Sequence, residues 1–155
     1  MLRIQRTDTT HKDFEQLERE LDAYLKVVDG DDHAFYDQYN HLESIKHIVL
    51  AYFDEEPVGC GAFKEYSKDT IEIKRMFVNA NFRGKGIATQ LLFELEDWAR
   101  ELNFTTSLLE TGKKQLEAVE LYKSKGYTLI PNYGQYALIE NSLCFEKQLN
   151  NDAKE

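Results

Sequence analysis

The 155-residue sequence predicts an α/β fold on a mixed central β-sheet flanked by helices. Three observations lead there. Runs of β-branched and apolar residues alternate with stretches whose apolar residues recur at helical spacing. Three successive strand-like runs are joined by short polar turns, which makes a meander. The third of these, DTIEIKRMFV, passes through the glycine turn NFRGKG straight into an amphipathic helix.

The elements follow in order. LRIQR reads as a first strand, and residues 10–28 as a helix with Leu17, Leu21, Tyr24 and Leu25 on its inner side. VDGDDHAFYDQYN breaks that pattern. HIVLAYF and PVGCGAFKEY form two strands around the acidic turn DEE, and TIEIKRMFV a third after SKD. From Gly86 a helix buries Ile87, Leu91, Leu92, Leu95 and Trp98 and turns Glu94, Glu96, Asp97 and Arg100 outward. The short strand TTSLLE, a helix over residues 114–124 stopped by Gly126, and the closing strands GYTLI and SLCFEKQ complete the chain.

Composition narrows the function. With 42% apolar residues, two prolines, no repeat and no apolar run long enough to span a bilayer, residues 1–155 are expected to form one cytoplasmic domain, with no membrane partner. Cys60 and Cys144 lie far apart inside strand-like runs and are expected to be buried thiols. The net charge of −9 is all N-terminal: residues 1–72 hold 8 Lys and Arg against 17 Asp and Glu, and residues 73–155 hold 11 of each. From Ile73 to Phe93 there is no acid, but there are Lys74, Arg75, Arg83 and Lys85. A basic turn in an acidic protein points to a discrete anion, not to nucleic acid.

Helix starts suit anions because the first backbone N–H groups lack internal partners and carry the positive end of the dipole. Neither common phosphate loop is present. GKGIAT lacks the GxxxxGK[ST] pattern, and Thr89 stands where a dinucleotide fingerprint needs its third glycine.

The run Arg83-Gly84-Lys85-Gly86-Ile87-Ala88 resembles the Arg/Gln-x-x-Gly-x-Gly/Ala signature of the GCN5-related N-acetyltransferase (GNAT) superfamily, and QLEAVELYKSKGY resembles its second signature, Asn-x-x-Ala-x-x-x-Tyr before Gly-Phe/Tyr. Gln115 replaces the usual asparagine, and Ala88 is an allowed variant of the glycine. The resemblance covers most of the chain and implies the GNAT fold, in which the strands IEIKRMFV and TTSLLE splay apart around acetyl-coenzyme A. It implies that Arg83, Gly84, Lys85, Gly86, Ile87, Ala88 and Thr89 hold the pyrophosphate, with Arg83 and Lys85 as countercharge. Met76, Phe77 and Val78 would pair with the pantetheine arm, and Gln115 and Ala118 would line the cofactor site.

The same resemblance places a catalytic base at Glu72, eleven residues before Arg83, and a general acid at Tyr122, one turn beyond Ala118. A base is needed because deprotonating an alkylamine at pH 7.5 costs roughly 3 to 4 kcal/mol. A backbone N–H near Met76 or Val78 would serve the oxyanion. His41 is a reserve base. His33, His41 and His47 have no metal spacing, so no metal is expected. Cys60 as an acyl-carrying nucleophile is the weaker enzyme reading. Asp31, Asp32, Tyr36, Tyr39 and Tyr133 are expected to line the acceptor site, where acids and aromatic rings would hold a cationic amine. The function implied is acetyl transfer to the primary amine of a small molecule in a ternary complex, with a homodimer as one candidate assembly. The alternatives are a coenzyme-A-binding sensor or scaffold and a protein or peptide N-acetyltransferase.

Overall fold

In a computed structural model the structure describes residues 1–30 and 45–149. Strands β1 (Leu2–Thr7), β2 (Ile45–Phe53), β3 (Glu56–Ser67), β4 (Thr70–Val78), β5 (Thr106–Gly112), β6 (Thr128–Ile130) and β7 (Ser142–Gln148) form one sheet in the order β1-β2-β3-β4-β5-β7-β6. Helices α1 (Lys12–Asp29), α2 (Ile87–Glu101) and α3 (Leu116–Ser124) cover it, with single turns of 3-10 helix at Ala80–Phe82 and Gly134–Tyr136. Every predicted element within the described residues is present, and the meander β1 to β4 is antiparallel throughout. The crossover through α2 makes β4 and β5 parallel.

The sheet is buried on both faces, which explains why β2 reads as a continuous apolar run and not as an alternation. Phe14, Leu17 and Leu21 of α1 pack on Ile48, Leu50, Cys60, Ala62 and Phe77. On the opposite face Ile87, Leu91, Leu92 and Leu95 of α2 and Val119 and Tyr122 of α3 pack on Val49, Ala51, Val58, Ile71, Ile73 and Leu109. At roughly 1.5–3 kcal/mol per buried large aliphatic side chain, these contacts outweigh any preference of the short loops between them. They fix where α2 begins.

One expectation on α2 fails. Glu96 is buried, not outward, accepting from Lys147 Nζ at 2.9 and 3.1 Å and from the Tyr127 hydroxyl at 3.0 Å. A carboxylate at that depth requires such partners, and Lys147 comes from β7, fifty-one residues away.

Two features shape the centre of the sheet. Pairing of β4 with β5 runs from Thr70↔Thr106 to Ile73↔Leu109 and stops, so the rest of each strand leaves a V-shaped opening. Beside it, Gly61 of β3 faces both Arg75 and Met76, a bulge in which Arg75 takes φ 57°. A Cβ on Gly61 would meet Met76 Sδ at 2.5 Å and Leu95 Cδ1 at 2.8 Å, so a larger residue there would have to push both side chains aside.

Candidate active site

The opening between β4 and β5 is a through-cleft with two chambers. The larger, about 290 Å³, lies on the α2 side and is lined by Met76, Phe77, Val78, the turn from Phe82 to Thr89 apart from Lys85, and Gln115, Ala118, Leu121 and Tyr122 of α3. The smaller, about 110 Å³, opens beneath Leu21 and Leu25 of α1 and is floored by Glu72, Lys74, Glu110 and Thr111. Met76, Gln115, Ala118 and Tyr122 belong to both, so the chambers adjoin at the splay.

The larger chamber ends on the start of α2. Gly84 and Gly86 both take φ 78°, a left-handed conformation costing a side-chain-bearing residue roughly 1–2 kcal/mol. A Cβ at either would meet nothing within 4 Å. The glycines are therefore set by backbone conformation, not by crowding. No side chain caps α2, its first turn holds no acid, and its ladder opens with Gln90 N–H on the Gly86 carbonyl at 3.1 Å, which leaves the N–H groups of Ile87, Ala88 and Thr89 pointing out of the helix start. The arginine is not loose. Arg83 Nε donates to the Val78 carbonyl at 2.9 Å and the guanidinium lies 4.7 Å from the centre of the Tyr24 ring. Lys85 is exposed, its Nζ 5.9 Å from the Phe53 ring, outside the chamber lining.

The smaller chamber brings together residues from five elements. Glu72, only 1% exposed, accepts from the Tyr133 hydroxyl at 2.7 Å, with Lys64 Nζ 3.8 Å from its other oxygen. Burial together with the Glu72 charge holds the Tyr133 phenol far above its ordinary range, so Tyr133 remains a donor. Tyr133 stacks edge-on with Tyr66 and Tyr136 at 5.3 and 5.8 Å. It stands behind Glu72, whereas Tyr136 of the same segment lines the chamber. Lys74, two residues beyond Glu72, donates from Nζ to the Tyr136 hydroxyl at 3.1 Å, and burial lowers its pKa. Tyr122 is buried edge-on against Tyr127 at 5.7 Å, and that burial raises its phenol well above the ordinary value. The Thr111 hydroxyl is buried in the lining without a hydrogen-bond partner among the described residues.

Sequence reasoning missed Arg75. Its buried guanidinium donates to Glu18 at 2.6 and 2.7 Å and to Asp22 at 2.6 Å, pinning α1 over the bulge. Glu20, between them on the helix, accepts from Asn79 Nδ2 at 2.8 Å. Part of the N-terminal acidity is therefore spent inside the protein. The i, i+4 pair Glu18 and Asp22 marks an acidic face on α1, but nothing in the sequence says that Arg75 will meet it. Lys74, Glu110 and Thr111 were missed as well. Asp31, Asp32, Tyr36, Tyr39 and His41 lie outside the described residues. Cys60 is fully buried with its thiol on the Arg75 carbonyl at 3.4 Å, and burial raises its pKa, the reverse of what a nucleophile needs. No group of three or more His, Cys, Asp or Glu suited to a metal occurs among the described residues, and none of their helices is long and apolar enough to cross a membrane.

This fold and cleft define an acyltransferase. The model of the acetyltransferase (GNAT) family matches residues 12–127, and the chain belongs to that family. It is 34% identical over 142 residues to an IAA acetyltransferase of Azospirillum brasilense, covering 86% of this chain and 89% of that one. It is 30% identical over 128 residues to the rat N-acetylaspartate synthetase, and there spans 43% of the relative's length. Among solved structures, one assigned as an acyl-CoA N-acyltransferase from Klebsiella pneumoniae superposes with a TM-score of 0.82 at 28% identity, over 97% of this chain and 99% of that one. A GNAT acetyltransferase from Elizabethkingia anophelis with acetyl-CoA bound shares the fold at TM-score 0.69 and 20% identity, over 95% and 97%.

Proposed function

We propose that the protein transfers an acetyl group from acetyl-coenzyme A to the primary amine of a small molecule by direct attack in a ternary complex. The observation that carries this is the through-cleft: an anion-accepting helix start in one chamber and a buried carboxylate in the other, joined at Tyr122. The uncapped N–H groups of Ile87, Ala88 and Thr89 fit a diphosphate, and the unpaired edge of Met76 to Val78 and the orphaned Thr111 hydroxyl fit an amide-bearing arm. Bound there, the coenzyme supplies an acyl group activated as a thioester.

The chain's own residues do the rest. Glu72, oriented by Tyr133, takes a proton from the acceptor ammonium. A backbone N–H near Met76 or Val78 faces the carbonyl oxygen. Tyr122, kept protonated by burial, holds a proton for the departing sulfur. One N–C bond forms, one C–S bond breaks, and a thiol and an amide leave. The small chamber of about 110 Å³, roofed by α1, supports a small acceptor over a protein side chain.

Thiol release from acetyl-coenzyme A across a panel of amines tests the proposal. Tyr122→Phe should lower kcat on the order of 10²-fold with coenzyme affinity unchanged, and Glu72→Gln should lower kcat/KM similarly and flatten its rise with pH. Tight coenzyme binding with no thiol release for any amine would leave the sensor reading standing in its place.

A further inference from the structure

We infer that the acceptor is an amine that also carries a carboxylate, held as a zwitterion between Glu72 and Lys74. The inference rests on the acetyl-transfer reading and names its substrate class. It starts from a lysine where the acceptor must bind. Lys74 lines the small chamber, and its hydrogen bond among the described residues goes to the Tyr136 hydroxyl. Burial holds that phenol far above its ordinary range, so the lysine faces a neutral partner. Arg75, the next residue, is treated differently: two carboxylates of α1 engage it. The Lys74 ammonium is thus sunk in the cleft with a neutral group as its hydrogen-bond partner, a state that an anion entering the chamber relieves.

The rest of the lining excludes simpler acceptors. A polyamine would bring a second cation beside Lys74. A plain anion would meet Glu72 and Glu110. An amino-carboxylate meets opposite charge at both ends, its ammonium toward the carboxylates and its carboxylate toward Lys74. The spacing is suited to one small molecule, since residues two apart on one strand face stand roughly 7 Å apart at Cα. The amine then lies at Glu72, the proposed base, and the carboxylate fixes its orientation. Asp31 and Asp32, the acids expected to select a cationic amine, lie outside the described residues, and Glu18, Glu20 and Asp22 of α1 bond to Arg75 and Asn79.

The experiment compares kcat/KM, by thiol release, for amino acids of each side-chain class against their decarboxylated amines, their carboxamides and a polyamine. The intact enzyme should favour an amino acid over its decarboxylated amine by on the order of 10- to 100-fold, the value of a charge-assisted hydrogen bond in a desolvated site. Lys74→Met should collapse that ratio towards one, and Lys74→Arg should retain most of it. Should Lys74→Met not fold, Lys74→Gln, which keeps a polar side chain and removes the charge, should lower the ratio in the same way. Equal or better turnover of the decarboxylated amine or the polyamine by the intact enzyme overturns the inference, as does a Lys74→Met variant that loses all acceptors alike. Where no amine releases thiol, acetyl transfer fails, and calorimetry of the same amino acids with the coenzyme-A-loaded protein still decides. Binding that Lys74→Met abolishes supports the zwitterion site, and no binding by any of them overturns it.

Discussion

The two chambers of the cleft are built in opposite ways. The coenzyme end comes largely from one continuous stretch, Met76 to Thr89, in which strand, glycine turn and helix start follow each other in the chain. The acceptor end is assembled from α1, β4, the run from β5 into α3, and the Tyr133–Tyr136 segment, walls that come from separate parts of the chain. In the proposed reading one end would take a diphosphate through backbone N–H groups, which any sequence supplies once its conformation is fixed. The other depends on side chains brought together by the sheet. A change at the first should act on one ligand alone, whereas changes at the second should spread through packing.

The sharpest separation should come from Gly86→Glu. A carboxylate about 4 Å from a phosphate costs about 4 kcal/mol at an effective dielectric of 20, close to a 10³-fold loss of acetyl-coenzyme A affinity. The φ of 78° adds strain of roughly 1–2 kcal/mol, and with no atom within 4 Å of the new Cβ the fold should survive. Calorimetry showing unchanged affinity would remove the diphosphate from this turn. A melting temperature lowered by more than several degrees would mean the turn supports the fold and not the ligand alone.

That asymmetry also explains what the sequence disclosed. The order of elements was legible because each carries its own period and its own turn residues, and Gly84 and Gly86 because a local conformation demands them. Glu72 and Tyr122 were reached through resemblance to a family, and both line the cleft. The pinning of α1 was not legible. Arg75 gave no sign of its left-handed bulge, and its partners Glu18 and Asp22 lie more than fifty residues away. Glu96 failed for the same reason: a helical wheel shows which residues share a face, not that Lys147 will arrive to pair with a buried acid. Tyr133 was expected at the acceptor site; its hydroxyl serves Glu72, and Tyr136 of the same segment lines the chamber.

Helix α1 reaches both ends, with Leu21 and Leu25 at the small chamber and Tyr24 at the large one, and Glu18→Gln tests whether its hold is local. Arg75 would keep Asp22 and lose a charged acceptor while remaining buried, which should cost about 2 kcal/mol in denaturant unfolding. The contacts of Tyr24 with Arg83 and of Glu20 with Asn79 are untouched. The acceptor KM should therefore rise several-fold with coenzyme affinity within about two-fold of the parent, because Leu21 and Leu25 roof only the small chamber. Equal weakening of both ligands would show that the two ends are coupled through α1 and that the separation drawn above is false.

The smallest effect is a pH dependence confined to the acceptor end. Burial lowers the Lys74 pKa, Lys64 and Arg75 push the same way, and Glu72 and Glu110 oppose them; Tyr136, its hydrogen-bond partner, stays neutral. A base whose pKa is lowered gives up its charge as pH rises, here before an ordinary lysine at 10.5 would. The rise of kcat/KM from deprotonation of the acceptor amine largely cancels when an amino acid is divided by a matched amine whose own pKa has been measured and corrected for, so the ratio isolates the anchor. It should hold steady near neutral pH and begin to fall at a lower pH than an ordinary lysine at 10.5 would give. In Lys74→Arg the same ratio should stay flat across that range, since a guanidinium does not titrate there. A parent ratio as flat as that of Lys74→Arg would mean that Lys74 keeps an ordinary pKa or lies out of the carboxylate's reach, and the ratio in Lys74→Met separates the two.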